Sequence, residues 1–297
     1  MMDGTILRTG GPVMKSSSGY DLTQLLIGSE GTLAIVTEIT LKLSPILPHS
    51  ATMLVPFNDV HAVTSVVPTL ISAGLLPSLL EYLDVTTMHA LQSGGDLHLG
   101  VDPAIAEASA AYLIVVLETR TREQLDADLE AAAELLGEAG ALDIYVLEGT
   151  AASQLIQARE RAFWLTKAAG ANEILDIVVP RSSVPTFLED VAVLADKHGA
   201  YIAGCGHVGD GNVHLTVFQP DDERRHALLQ ASFELALAVG GAISGEHGIG
   251  TAKLPYFLEL ADPVALRLMR AIKAAFDPQG ILGPDRLLGV GREGATP

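Results

Sequence analysis

Histidines and a carboxylate on short glycine-rich segments are the residues of this chain whose types and spacing could carry chemistry. His207 and His214 flank the segment VGDGNV, and Glu246 and His247 lie in the segment SGEHGIG, residues 244–250. Imidazole and carboxylate are common ligands of zinc and similar ions, and a catalytic metal site keeps one coordination position open for substrate. The sequence therefore predicts a divalent metal, zinc first, bound by His207, His214 and Glu246, with His247 remaining as a titratable base.

The spacing of His207 and His214 predicts a β-hairpin. Glycine and asparagine, which stand between the two histidines at Gly209, Gly211 and Asn212, tolerate the positive φ of a tight turn. Residues 204–209, which overlap the start of this hairpin, match the dinucleotide motif G-x-G-x-x-G. That motif must be followed by a helix, whereas residues 213–218 have the pattern of a second strand, so a nicotinamide site is disfavoured.

Two β-α-β units are predicted to form the scaffold of the central region. Their predicted strands are residues 51–57, 78–83, 112–117 and 144–147, and their helices are residues 58–73 and a helix that starts at Thr121. Thr121 and Gln124 have the spacing of a capping box, and Leu125, Leu129 and Ala132 recur on one helical face. The pattern predicts a ferredoxin-like sheet layered with helices.

The first segment of the chain has a different pattern. Residues 33–43 alternate and are rich in β-branched side chains, which predicts strands. Pro45 and Pro48 interrupt the alternation. A domain boundary is therefore expected near residue 49.

Longer segments carry a resemblance to a known family. They are H-x-G-D-G-N-x-H at residues 207–214, SGEHGIG with Lys253 beyond it, FDPQGIL at residues 276–282, and residues 15–22 and 26–37 near the start. Together they resemble the C-terminal half of the FAD-linked oxidases of the vanillyl-alcohol oxidase and p-cresol methylhydroxylase superfamily. The group of glycolate oxidase FAD subunits and D-lactate dehydrogenases is the most similar branch.

The resemblance implies an α+β fold in three segments. Residues 1–49 would be the C-terminal remnant of an α+β FAD-binding domain, residues 50–270 a ferredoxin-like cap domain with an antiparallel sheet, helices and the metal site, and residues 271–297 a segment returning to the FAD domain. In the family the FAD domain begins further upstream, with a glycine-rich loop for the cofactor pyrophosphate. The chain is therefore expected to start inside that domain. A truncated reading frame, one half of a split gene and an excised fragment would each explain this start. A partner chain is one source of the remaining part of the FAD domain.

The resemblance also implies which residues bind cofactor and substrate. Arg159 stands in a W-x-x-R-like position, where the family's arginine holds the substrate carboxylate, although Ile156 replaces the common aromatic residue. A planar guanidinium suits this role because it donates two parallel hydrogen bonds. Arg181 is a second cationic candidate. The residues expected to lie along the flavin of FAD are Gly28, Ser29, Glu30, Gly31, Thr32 and Ile35.

The implied reaction is oxidation of a small 2-hydroxy acid, of the glycolate or D-lactate type, to the 2-oxo acid. The metal would polarise the substrate hydroxyl, His247 would take its proton, and the Cα hydride would move to the flavin N5. An electron-acceptor protein or a quinone would then reoxidise the flavin. Two alternatives stay open, a flavin-free metal-binding module such as a hydrolase, and an inactive fragment that serves as an interaction domain.

Composition narrows the class of protein. A hydrophobic fraction of 48% with 18% charged residues excludes a disordered chain. The net charge of −18 disfavours nucleic acid as a partner. The sequence has no apolar run of about 20 residues and no secretory signal, which predicts a cytoplasmic protein without a transmembrane segment. Cys205 is the only cysteine, so no internal disulfide forms, and it is expected to be a buried small residue.

Overall fold

The computed structural model describes residues 1–93 and 99–289. Backbone contacts divide the chain into two compact units. The larger unit is Pro45–Gly245, and the smaller unit combines Met1–Ser44 with the described residues from Glu246 onward. The functional domain boundaries expected at residues 49 and 270 stay a prediction, because compactness alone does not test them.

The larger unit is built on a seven-stranded sheet with the order β4-β1-β3-β2-β6-β7-β5. Each neighbouring pair is antiparallel. The strands are β1 (His49–Phe57), β2 (Leu79–Asp84), β3 (Ala111–Thr119), β4 (Tyr145–Leu147), β5 (Glu173–Val178), β6 (Tyr201–Gly206) and β7 (Asn212–Phe218). The predicted α+β fold with an antiparallel, ferredoxin-like sheet is confirmed.

Helices layer the sheet and fill the connections between its strands. In the larger unit they are α2 (Val60–Ser72), α3 (Val85–Ser93), α4 (Pro103–Ala108), α5 (Arg122–Glu138), α6 (Gly149–Arg159), α7 (Ala162–Ala168), α8 (Val184–His198) and α9 (Asp222–Ala238). In the smaller unit they are α1 (Leu22–Leu26), α10 (Leu254–Leu260) and α11 (Pro263–Phe276). Among the residues described here, none of these helices combines the length and apolarity needed to cross a membrane.

Helix α5 forms for the reasons that its sequence predicts. The Thr121 side chain accepts a hydrogen bond from the backbone N–H of Gln124 at 3.2 Å, which satisfies one of the unpaired donors of the first turn. Leu125, Ala132 and Leu136 are buried on one face of the helix. The helix therefore stays on the sheet through a cap at its start and an apolar stripe along its length.

An apolar core positions the helix that carries Arg159. Leu155 and Ala158 of α6 are 0% exposed and belong to a core cluster with Leu54 of β1 and Leu83 of β2. Burying these side chains fixes the rotation of α6 about its axis, because a different rotation would expose them to water. Arg159, the last residue of α6, is thereby held in a defined position beside the sheet.

The strand prediction for residues 33–43 is wrong. These residues have no regular secondary structure, and Ile35, Ile39 and Leu41 are 72%, 70% and 74% exposed. A strand is stabilised by hydrogen bonds to a neighbouring strand. The described part of the smaller unit contains no strand that could pair with this segment, so alternation alone does not produce one.

Buried charges hold the smaller unit together. The Lys273 ammonium donates to the Thr32 carbonyl at 2.8 Å, to the Leu282 carbonyl at 2.7 Å and to the Asp277 carboxylate. Asp277 also accepts from the N–H groups of Ile281 and Leu282 at 3.1 and 2.7 Å. Burial opposes ionisation of Asp277, but these donors outweigh it and lower its pKa. The Lys273 ammonium thus connects α11 to the segment around Thr32 through a hydrogen bond and pairs with Asp277 at the end of the same helix.

Candidate functional site

A glycine-rich hairpin in the larger unit brings His207 and His214 together. β6 ends at Gly206 and β7 begins at Asn212, whose N–H donates to the His207 carbonyl at 3.2 Å and closes the turn. Gly211 has a φ of +88°, and a Cβ there would lie 2.1 Å from the Val179 carbonyl oxygen. The turn therefore requires glycine, and the two imidazole centroids lie 5.0 Å apart with the rings nearly perpendicular.

Each imidazole faces a buried carboxylate through Nδ1. His207 Nδ1 lies 2.6 Å from Glu81 Oε1, and His214 Nδ1 lies 3.7 Å from Asp176 Oδ1. Glu81 and Asp176 are 4% and 0% exposed. Asp176 is cross-strand partner to His214 in the β5–β7 pair and also accepts from the Ser244 hydroxyl at 2.8 Å. At hydrogen-bond distance, as at His207, a carboxylate on Nδ1 fixes the ring orientation and favours the tautomer with Nε2 available as a ligand, whereas the longer separation at His214 is that of an ion pair.

The histidine pair fits metal binding. One ring nitrogen of His207 and one of His214 lie within 4.8 Å of each other, which leaves room for an ion between them. Their backing carboxylates match the arrangement that orients histidine ligands in metalloproteins. The third predicted ligand, Glu246, belongs to the smaller unit, where its Oε1 lies 3.6 Å from His247 Nε2 and both side chains are half-exposed.

Arg159 shares an acceptor with His207. Its Nη1 donates to Glu81 Oε1, the oxygen that also contacts His207 Nδ1. The Arg159 side chain is 22% exposed. Glu81 therefore links the arginine expected to hold a substrate carboxylate with a histidine expected to bind metal. A cavity of about 480 Å³ opens beside these three residues and is also lined by Arg181.

The segment expected to contact flavin forms a tight turn in the smaller unit. Gly28, Glu30 and Gly31 have φ values of +77°, +51° and +71°. Apart from their chain neighbours, no described residue has an atom within 4 Å of a Cβ built at Gly28 or Gly31, so the space beside both residues is open to a ligand. Ile35 is 72% exposed, which leaves its side chain available for contact. These features fit a cofactor passing along the turn.

The other side chains of this segment are engaged within the protein. The Thr32 hydroxyl donates to the Ser29 carbonyl at 2.7 Å, and Thr32 and Ser29 are 2% and 9% exposed. The Glu30 carboxylate accepts from the backbone N–H groups of Ile249 and Gly250 at 2.6 and 2.8 Å. Contact with a cofactor by these three residues would therefore be made through the backbone.

Cys205 is a packed structural residue. It packs against the apolar core cluster, and burial, together with the nearby carboxylates of Asp84 and Glu81, raises the pKa of its thiol to about 12. A thiol binds metal or attacks a substrate as the thiolate, and little thiolate forms at neutral pH with such a pKa. Cys205 is therefore a poor metal ligand.

The two carboxylates that face the histidines were not predicted from the sequence. Glu81 lies in the strand LLEYLD and Asp176 in the strand EILDIV. An acidic residue in the interior of a mainly apolar strand was the signal, because an unpaired buried charge is too costly to be retained without a partner. The partners of Glu81 lie far from it in sequence, because His207 is 126 residues away and Arg159 is 78 residues away.

Comparison with known protein families places the chain in one of them. A family described as FAD linked oxidases, C-terminal domain, matches residues 46–287. The chain belongs to this family. An uncharacterized FAD-linked oxidoreductase of Mycobacterium tuberculosis is 52% identical over 96% of the chain and 62% of its own length. The resemblance of the sequence to FAD-linked oxidases is confirmed.

Two relatives of this FAD-linked oxidase chain have named activities. A D-lactate dehydrogenase of Anaerostipes hadrus is 34% identical over 96% of the chain and 62% of the relative. The glycolate oxidase subunit GlcD of Bacillus subtilis is 33% identical over 97% of the chain and 61% of the relative. The chain thus spans less than two thirds of the length of these relatives.

Solved structures show the same fold. The structure of p-cresol methylhydroxylase superposes with a TM-score of 0.72, covering 96% of the chain and 62% of the enzyme, at 18% identity. This likeness concerns the fold, which the FAD-linked oxidase chain therefore shares over nearly all its length.

Proposed function

We propose that this chain is the metal-binding and substrate-binding part of an FAD-dependent enzyme that oxidises a small 2-hydroxy acid to the 2-oxo acid. The observation that carries the proposal is the pair of histidines, each backed by a buried carboxylate and joined through Glu81 to Arg159. Relatives named D-lactate dehydrogenase and glycolate oxidase subunit support the substrate class. A cytoplasmic location is part of the same proposal.

His207, His214 and Glu246 are the residues proposed to hold a divalent metal. A bound metal would act as a Lewis acid on the substrate hydroxyl. Glu81 would keep the His207 imidazole oriented with Nε2 available for the ion, and the Asp176 carboxylate lies beside the His214 ring.

Arg159 would position the substrate carboxylate. Glu81 fixes one edge of the guanidinium through Nη1, which restricts the side chain to a narrow set of rotamers. The remaining N–H groups of Arg159 can then donate to a carboxylate without first losing rotamer freedom. A fixed carboxylate also fixes the neighbouring Cα, from which the hydride leaves.

His247 would accept the hydroxyl proton at Nε2. An imidazole is an effective base near neutral pH, and the side chain is half-exposed in the smaller unit. Glu246 lies 3.6 Å from this nitrogen, where its negative charge would stabilise the imidazolium that forms. The Glu30 carboxylate would hold the loop at residues 249–250 that follows His247.

FAD is the proposed acceptor of the hydride, with Gly28, Ser29, Glu30, Gly31, Thr32 and Ile35 along it. Bound FAD supplies two-electron redox chemistry that no side chain of the protein can provide. His247 would take the hydroxyl proton of the substrate, and bound FAD would supply the two-electron acceptor that the oxidation requires. A protein or quinone would accept the electrons, and a partner chain is one source of the remaining FAD-binding residues.

The test combines spectra, metal content and turnover. The purified chain is expected to carry a divalent metal and, alone or with a partner chain, to show visible flavin absorption that D-lactate or glycolate bleaches. His207→Asn should lose the metal, whereas His61→Asn, an exposed histidine of the same unit, should retain it. Bound metal without flavin in every preparation would support a flavin-free metal module, and neither metal nor flavin would support an interaction domain.

A further inference from the structure

The cavity beside the histidine pair is larger than a small 2-hydroxy acid requires. Its volume is about 480 Å³ and it lies within the larger unit. Cavities of about 300–1,000 Å³ hold drug-sized ligands. Glycolate or lactate placed at His207 would leave most of this volume filled by water.

One part of the cavity wall is apolar. It is formed by the end of α2, the connection that follows it and the first residues of β2, namely Ile71, Leu75, Leu76, Pro77, Leu79 and Leu80. Leu75 and Leu80 are 6% and 5% exposed, so their positions are fixed by the core. An apolar group against this wall would be removed from water, which is favourable in proportion to the area covered.

The rest of the lining includes polar side chains, His207 among them. Arg159 donates to Glu81 through Nη1, which leaves its other N–H groups for a ligand, and Arg181 is a second cation of the same lining. The two cations together suit one carboxylate. Asp210 also lines the cavity and would repel a second acidic group.

We propose that this cavity binds the side chain of the substrate, and that the protein prefers 2-hydroxy acids with a medium-length or branched aliphatic side chain. The head of such a molecule lies at His207 with its carboxylate at Arg159, beside Arg181, and its aliphatic chain lies along Leu75, Leu79 and Leu80. This inference rests on the proposed function for the 2-hydroxy acid head, while the preference for an aliphatic tail follows from the cavity itself.

The test is calorimetric binding of a chain-length series to the intact chain, loaded with the metal that it retains. Glycolate, lactate, 2-hydroxybutyrate and 2-hydroxycaproate are compared with 2-hydroxyglutarate, which carries a second carboxylate. Each added methylene should lower Kd by about fourfold, since a buried methylene contributes about 0.8 kcal/mol. Equal affinity across the series, tighter binding of 2-hydroxyglutarate, or no binding by any acid would overturn the proposal.

A matched pair of variants locates the effect in the cavity. Ser78 lines the cavity, so Ser78→Phe should occupy space there and abolish the gain from chain length. Ser65→Phe introduces the same side chain on an exposed position of α2 outside the cavity lining and should leave the series unchanged. A series that is unchanged in Ser78→Phe would place the binding elsewhere and contradict the proposal.

Turnover separates this proposal from the proposed function. Oxidation of D-lactate without any dependence on chain length would retain the function and remove the aliphatic preference. Chain-length-dependent binding without oxidation of any acid would retain the cavity assignment and remove the oxidase function.

Discussion

The larger unit buries the apolar side chains of its central strands in a core, whereas the smaller unit exposes many of its large apolar side chains. Met53, Leu54 and Leu113 of the central strands are 0% exposed, while Met14 and Tyr20 of the smaller unit are 91% and 96% exposed. The interior of the smaller unit instead contains the Lys273–Asp277 ion pair, with both residues under 5% exposed.

This difference concerns the source of stability. Apolar burial is non-directional and spread over many residues, so a sheet with a continuous core tolerates the loss of one contact. A buried ion pair concentrates the stabilisation in a few atoms, and removing one partner leaves an uncompensated charge. We therefore expect local changes at buried charges to affect the smaller unit most strongly.

Lys273→Met should have the largest effect. It leaves the Asp277 carboxylate buried and removes the donor to the Thr32 and Leu282 carbonyls, which should cost about 3–5 kcal/mol. Hydrogen exchange should show loss of protection in α11 and near Thr32, with the sheet of the larger unit unchanged. Lys167→Met, at an exposed position of α7, is the control, and equal loss in both variants would contradict the comparison.

Glu81→Leu tests whether the polar group formed by Glu81, Arg159 and His207 stabilises the larger unit. The change deprives Arg159 and His207 of their shared acceptor and should cost about 2–3 kcal/mol in urea unfolding. Adding Arg159→Leu should recover at least half of that loss, because an apolar pair can replace a buried ion pair. Recovery would show that these polar side chains are retained for the function of the site. A further loss of stability would show that they stabilise the fold.

Glu30→Gln should produce a local effect in the smaller unit. A neutral amide offers one acceptor oxygen in place of two charged ones, so one of the N–H groups of Ile249 and Gly250 loses its partner. The expected cost is about 1.5–3 kcal/mol, seen as faster exchange of these two amides. Glu38→Gln, an exposed carboxylate of the same unit, should leave both amides unchanged.

The smallest expected effect is an opposite pH dependence at two carboxyl groups. Asp277 has a pKa below 3.8, so its stabilisation is present above that value and is lost as the pH falls through the folded-state pKa. Burial raises the pKa of Asp84 despite hydrogen bonds from the N–H groups of Thr87 and Gly204, so its ionisation opposes folding as the pH rises above 3.8.

Calorimetric unfolding from about pH 3 to about pH 6 distinguishes the two carboxyl groups. Asp277→Asn should remove part of the loss of stability on the acid side. Asp84→Asn should remove part of the loss that accompanies rising pH. If both substitutions changed the pH dependence of the free energy of unfolding in the same direction, the assignment of opposite pKa shifts would be contradicted.

Local signals predicted much of the larger unit. The cap at Thr121, the apolar stripe of α5 and the glycine turn between His207 and His214 depend on residues close in sequence, whose propensities act over one or two turns of chain. The strand prediction for residues 33–43 failed because alternation describes a face and cannot supply a pairing partner.

The sequence by itself determined the ferredoxin-like order of helices and strands, the hairpin that carries the two histidines and the absence of an internal disulfide. Only the tertiary structure decided that Glu81 and Asp176 face those histidines, that Arg159 is held by Glu81 and that Lys273 is buried beside Asp277. The physical reason is the distance along the chain over which each kind of interaction acts. Backbone propensity and turn chemistry act between neighbours, whereas a buried charge finds its partner only after the sheet order and helix packing have brought distant residues into contact.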